Sequence, residues 1–132
     1  MTRKLTLGKA ERLKSRKAIE QLFKEGQRFT VSPFRIFYLT KAETGLQFGT
    51  GVSTRNFKKA VDRNRIKRLC REAWRLQKTS LREKLEEKHT GLHVFLIYTG
   101  NEMVDYPFVY EKLTTIIKKL SALVHENNTP HS

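Results

Sequence analysis

The stretch NFKKAVDRNRIKRLCREAWRLQK, Asn56 to Lys78, decides how this chain is read. From Arg55 to Lys78 there are ten lysines or arginines against Asp62 and Glu72, a local charge of +8. Wound at about 100° per residue from Arg63, the residues Ile66, Leu69, Cys70, Ala73 and Leu76 fall between about 220° and 340°. Arg63, Lys67, Arg68, Arg71, Arg75 and Lys78 fall between about 0° and 140°. The spacing predicts an amphipathic helix over roughly Lys58 to Lys78, apolar side on a sheet and cationic side in solvent. Trp74 falls on the seam, at about 20°, and reads as a packing residue.

The cationic side costs the helix something. Between Arg63 and Lys78 six like-charged pairs at i,i+3 or i,i+4 outnumber three opposite ones, Asp62/Arg65, Arg68/Glu72 and Glu72/Arg75. That excess amounts to about 1 kcal/mol of repulsion. Solubility alone is met as well by mixed charge. An arginine-rich face of one sign suits phosphates, which accept paired guanidinium hydrogen bonds. Asn64, a poor helix former between two arginines, has two readings. Its amide either bonds locally to backbone or serves phosphate, sugar or base edge.

The rest of the chain sharpens this. It has 132 residues and a net charge of +14. Met1 to Lys17 carries seven Lys or Arg and one Glu, or +6, so the two basic segments account for the entire excess. Two electropositive patches point to a polyanion, nucleic acid before membrane. The length suits one domain. Cys70 is the single cysteine, which excludes an intramolecular disulfide and a thiolate zinc site and fits a reducing cytoplasm. The longest apolar run, VFLIY (Val94 to Tyr98), is too short to span a bilayer, and no signal-peptide core follows the basic start.

Residues 1–14 read as a basic extended arm, 15–125 as the folded domain and 126–132 as a flexible tail. In SRKAIEQLFKEG, Ser15 caps a short helix, Gly26 stops it, and Ala18, Ile19, Leu22 and Phe23 form its stripe. PFRIFYLT then alternates, with Phe34, Ile36 and Tyr38 on one face and Arg35, Phe37 and Leu39 on the other. ETG marks a turn, and LQFGTGVS reads as the second strand of an antiparallel pair, Gly49 and Gly51 leaving room for close approach. SLREKLEE either extends the basic helix or starts a new one, Ser80 and Glu83 having capping-box spacing. LHVFLIY reads as the most buried strand, with His93 a hydrogen-bonded core histidine. Pro107 opens a last helix whose core stripe is Val109, Leu113, Ile116, Ile117, Leu120 and Val124. The fold class is α+β, helices packed on a sheet.

With KKAVDRNRIKRLCREAWR in view, the chain resembles the protein subunit of bacterial ribonuclease P. The likeness rests on Ala60, Val61, Arg63, Asn64, Arg65, Lys67 and Arg68, followed by Arg71, Glu72, Ala73, Trp74 and Arg75. LKSRKAIEQLFKEG adds the family's first helix, and the likeness runs from about Lys9 to Leu123. The resemblance implies αβββαβα order on a roughly four-stranded sheet, an extra short strand near Arg28 to Val31, and a left-handed βαβ crossover around the basic helix, against the general rule.

The resemblance also implies partners: a catalytic RNA subunit and precursor tRNA, with no membrane and no small-molecule substrate. RNA and Mg²⁺, held mainly by the RNA and the substrate, would carry out phosphodiester hydrolysis, the protein itself holding no cofactor and no catalytic residue. Carried over by motif, Arg63, Asn64, Arg65, Lys67, Arg68, Arg71 and Arg75 would meet the catalytic RNA. Ile19, Phe23, Arg35, Phe37 and Arg55 would line a cleft for the 5′ leader. Ile19 stands where many members carry an aromatic, and Lys58 where they carry a glycine. On the residues alone, Phe37 beside Arg35 and Leu39 also fits a stacking platform, though Phe23 and Phe37 fit a core equally well.

The alternatives differ in class. A ribonuclease acting alone needs a paired general acid and base in one cleft. His89, His93, His125 and His131 lack metal-ligand spacing with acidic partners, and Asp62 and Glu72 sit among cations. Cys70, on the apolar face, reads as inert. A ribosomal or double-stranded-RNA-binding protein with no role in cleavage would share the charge but not the Arg-Asn-Arg helix.

Overall fold

The computed structural model describes residues 11–127. The first ten residues of the basic arm and residues 128–132 of the tail, with His131, lie outside them. In chain order the elements are α1 (Arg16–Glu25), β1 (Gln27–Val31), β2 (Phe34–Lys41), β3 (Gly45–Val52), α2 (Ala60–Gln77), α3 (Thr79–Glu87), β4 (Gly91–Tyr98) and α4 (Tyr106–Asn127). This is the expected αβββαβα order with the helix between β3 and β4 divided in two.

Local signals explain most of these elements. The Ser15 side chain accepts a hydrogen bond from the Ala18 amide and so caps α1, and Gly26 ends it. Asp105 Oδ1 accepts from the Phe108 amide at the start of α4, whose second residue is Pro107. The six α4 stripe residues are all buried. α4 continues to Asn127, two residues past the boundary read at 125. The capping box fails: α3 starts at Thr79, its cap is Lys78, and no side chain bonds there. Lys78 is itself in helical conformation, so the chain turns from α2 into α3 without a break that Ser80 could cap.

The sheet corrects the expected hairpin. Its order is β1-β2-β4-β3, so β2 and β3 are not neighbours. β4 lies between them, antiparallel to β2 and parallel to β3. Lys41 and Gly45 both stand in register with Gly91, and the turn at 42–44 therefore arches over the start of β4. The Glu43 carbonyl occupies the place where a Cβ on Gly91 would sit, so only glycine fits beneath the arch. The β3–α2–α3–β4 connection is the βαβ crossover.

One face of the sheet carries the main core. Phe34, Ile36 and Tyr38 of β2, Leu92, Val94, Leu96 and Tyr98 of β4, and Leu46 and Phe48 of β3 pack there against α2, α3 and α4. Ile66, Cys70, Ala73 and Trp74 are the buried residues of α2. Trp74 stacks on Phe48 with ring centroids 4.2 Å apart and planes 12° from parallel. It is fully buried, not marginal, whereas Leu76 is 42% exposed. The helix is thus rolled toward Trp74 relative to the apolar sector read from the sequence.

Candidate nucleic-acid interface

The roll of α2 sorts its cations. Asn64, Arg65 and Arg68 are exposed, together with Val61. Arg63, Lys67, Arg71 and Arg75 are half-buried, and three of them have identifiable tasks. Arg63 donates from Nη1 to the Phe57 and Lys58 carbonyls at 2.8 and 2.9 Å, tying the helix to the loop before it. Arg75 forms a two-point pair with Glu72, which raises its pKa further through that hydrogen bond. Arg71 reaches past the β3 edge to line a groove with Gly49 and Phe95. Lys78, read as part of the cationic side, is instead buried, with its ammonium on Glu11 and Arg82 on the other carboxylate oxygen of Glu11 at 3.0 Å.

The loop between β3 and α2 is held from several directions. Ser53 Oγ accepts from the amides of Arg55 and Asn56. The Asn56 amide group donates to the carbonyls of Thr99 and Gly100, at 3.3 and 3.1 Å. Phe57 is buried against Tyr98. With Arg63 holding its end, this loop displays Arg55, Lys58 and Lys59 to solvent beside the first turn of α2.

The second surface is the face of the sheet away from the main core. Strand pairing sets three rows across it: Arg28, Phe37, Phe95 and Gly49; Thr30, Arg35, Ile97 and Gly51; then Leu39, His93 and Gln47. α1 and residues 11–14 cover part of this face in a small cluster of Leu13, Leu22 and Phe37, with Ala18, Ile19, Leu39, Phe95 and Ile97 only partly buried. The described end of the arm is therefore packed. Arg12 bridges to Phe48, the Leu13 amide donates to the Phe48 carbonyl at 2.9 Å, and Leu13 is buried.

Three aromatic rings meet on this face. Phe23 lies 4.8 Å from Phe37 and 5.3 Å, edge-on, from Phe95. Phe37 is 8% exposed and Phe23 44%, so Phe37 belongs to the packed floor while Phe23 offers its ring to solvent. The Phe95 ring lies over two glycines of β3. A Cβ on Gly49 would meet it at 2.8 Å, and one on Gly51 at 3.2 Å. An open groove of about 430 Å³ runs beside it, lined by Arg12, Lys14, Ile19, Gly49, Arg71 and Phe95 among others. Exposed Arg35, one row along, continues the cationic border.

The sites read from the sequence are thus brought together only in part. Ile19, Phe23, Arg35, Phe37 and, from α2, Arg71 share one face. Arg55, Asn64, Arg65, Lys67 and Arg68 stay with α2 and its loop. Phe95, Lys14 and Arg12 do not stand out as site residues in the sequence. A continuous apolar run such as VFLIY hides which residues share a face, and only the register opposite Phe37 reveals Phe95.

Titratable groups add little chemistry. Burial pushes the Cys70 thiol up to about 12, against smaller effects of Thr50 and Arg71, so it stays a thiol. His93 corrects the reading of a bonded core histidine: its Nδ1 is buried with no hydrogen-bond partner among the described residues. Burial first, and Lys41 second, lower its pKa. Among the described residues, no group of three or more His, Cys, Asp or Glu could hold a metal ion. None of their helices is long and apolar enough to cross a membrane.

Comparison with known proteins gives a consistent result. The family model "Ribonuclease P" matches residues 7–121. A ribonuclease P protein component from Porphyromonas gingivalis is 36% identical over 103 residues, 76% of this chain and 75% of that one. One from Desulfovibrio desulfuricans is 31% identical over 120 residues, covering 90% and 89%. Among solved structures, the RNase P protein from Thermotoga maritima superposes with a TM-score of 0.66 at 27% identity, over 83% of this chain and 96% of that one. The Staphylococcus aureus RNase P protein, at 20% identity and a TM-score of 0.67, shares the fold.

Proposed function

The chain belongs to the ribonuclease P protein family, and from that membership we propose that it binds a catalytic RNA and the 5′ leader of precursor tRNA. The reading assigns one partner to each surface. Asn64, Arg65, Lys67 and Arg68, with Arg55 and the loop lysines, meet phosphates of the RNA subunit. Arg63 supports them by holding the loop, and Arg75 by keeping Glu72 engaged. The groove takes the leader: Phe23 stacks a base over the Phe37 and Phe95 floor, and Arg35 and Arg71 neutralise phosphates.

The observation that carries this is the groove together with the aromatic cluster that meets it at Phe95. A half-exposed aromatic over a floor of two others, bordered by cations, is what a single strand needs and a stability core does not. Stacking on aromatic rings tolerates any base, and cations track the backbone, so leaders of varied sequence can be held. Mg²⁺, held mainly by the RNA subunit and the substrate, supplies the electrostatic activation of phosphodiester hydrolysis. The chain's own residues bind and orient; none is assigned a proton transfer.

Precursor tRNA incubated with the protein, with a bacterial catalytic RNA at low Mg²⁺, and with both tests the proposal. Cleavage at the 5′ junction is expected to be fast only with both. Cleavage by the protein alone would make it an independent nuclease, and no enhancement of the RNA would leave a ribosomal or double-stranded-RNA binder. With about six phosphates engaged, log affinity for the RNA subunit falls against log salt with a slope of about −4 to −5. A nearly flat salt dependence would contradict the assignment of α2.

A further inference from the structure

The four residues Glu11 to Lys14 have a construction that the family motif does not account for. At one end the Glu11 carboxylate receives the buried Lys78 ammonium on one oxygen and Arg82 on the other. Lys78 stands at the α2–α3 junction, so this anchor lies on the core side of the β3 edge. Next, Arg12 bridges to β3 and the Leu13 amide bonds the Phe48 carbonyl. Leu13 then enters the cluster beneath α1, its carbonyl 3.1 Å from where a Gly49 Cβ would stand. Beyond it Lys14 lines the groove, beside Ser15, the cap of α1. The segment is a strap that crosses the sheet edge, tied by charge at one end and helix-capped at the other.

We propose that Glu11 is a positioning residue for leader binding: its ion pairs hold the strap so that Arg12 and Lys14 form the wall of the groove opposite Phe95. This rests on the groove being the leader site. Among the described residues the lining of the groove includes Arg12 but not Glu11, whose carboxylate therefore acts through its neighbours. A buried lysine is tolerated only with a partner, which makes the tie stronger than a surface pair of the same charges.

Glu11→Gln separates positioning from simple charge. The substitution raises the net charge by one, so electrostatics alone predicts tighter binding of any RNA. A released strap predicts the opposite for the leader only. Holoenzyme affinity for precursor tRNA with leaders of increasing length is compared with that for mature tRNA, and hydrogen exchange of the Leu13 amide is followed in the same variant. The expected result is a loss of leader-dependent affinity of about three- to ten-fold, unchanged mature tRNA binding, and lost Leu13 protection while Leu96 keeps its own.

Retained Leu13 protection, or lost protection with full leader dependence, would overturn the role of Glu11. An equal loss for mature tRNA would overturn it as well. A wild-type holoenzyme indifferent to leader length would overturn the leader site and this proposal together, an outcome visible before any variant is made. Arg82→Gln covers the case in which Glu11→Gln does not fold. It removes the more exposed partner, leaves Lys78 paired, and is expected to give a loss of about two-fold in the same direction. Lost Leu13 protection there with full leader dependence would equally refute the anchor.

Discussion

Strands β2, β3 and β4 present alternate residues to two faces, and the two faces are finished differently. On one, Phe34, Ile36, Leu92, Val94 and Leu96 are fully buried beneath α2 and α4. On the other, Leu39, Phe95 and Ile97 remain partly exposed beneath the short α1 and the strap. A sealed face gains its full transfer free energy and tolerates no change of shape. A half-covered face forgoes part of that gain and keeps apolar rings available to a ligand. The difference teaches that the first face holds the fold together and that the second is finished in a way that leaves room for a ligand.

Substitutions should separate the faces. The largest effect is expected from Trp74→Ala, which empties a fully buried site stacked on Phe48 and should cost about 3–5 kcal/mol in urea unfolding. A cost below about 1 kcal/mol would mean that the sealed face is not the principal core. Phe23→Ala is the counterpart on the open face. It should leave stability within about 1 kcal/mol but remove about 1–3 kcal/mol of leader-dependent affinity, measured with precursor against mature tRNA. Comparable losses on both substrates would return Phe23 to a packing role.

The cations of α2 extend the comparison to a third surface. Arg65→Gln with Arg68→Gln removes two exposed charges from a crowded helix. Each phosphate that is no longer neutralised should shallow the salt slope for the RNA subunit by about 0.7–0.9. The helix pairs lost, Arg65/Arg68 and Arg68/Arg71 of like charge and Asp62/Arg65 and Arg68/Glu72 of opposite charge, balance, so stability should stay within about 0.5 kcal/mol. Arg63→Gln should behave differently, because it frees the loop carbonyls of Phe57 and Lys58 and so lowers stability. Identical behaviour of Arg63 and Arg65 would erase the distinction between supporting the loop and meeting the RNA.

What is legible in the sequence follows the range of each interaction. α1 and α4 are written in periodicity and caps, and α2 in periodicity alone, all within a few residues. The alternation of β2 gives its faces correctly, but period two says nothing of neighbours, and so LQFGTGVS reads as a partner of β2 rather than of β4. Lys78 falls on the polar side of the wheel because its partner, Glu11, is 67 residues away. Arg63 reads like Arg65 until the loop carbonyls are in place. The family motif points to the α2 cations and, on the open face, to Ile19 in the groove with Phe23 and Phe37 beside it. Phe95, Lys14 and the strap need the register, which no local pattern supplies.

The smallest expected effect concerns His93, in the row of Leu39 and Gln47 on the open face. Its pKa is lowered in the folded protein, chiefly by burial and then by Lys41, whose ammonium is held by the Gln21 side chain of α1. The unfolded chain, with an ordinary histidine near pH 6.5, therefore takes up the proton first. As pH falls through that value the unfolded state binds more protons than the folded one, and stability declines. Above it the contribution is fully present, and below the lowered folded pKa the loss levels off. Thermal unfolding between pH 8 and pH 5 should show this decline in the wild type and a shallower one in His93→Gln. Because the ring is only half-buried, water relieves part of the cost of charging it, which is why the effect ranks last. Equal pH dependence in both proteins would mean that the open face admits enough water around His93 to charge it freely, and would make that face wetter than its apolar lining suggests.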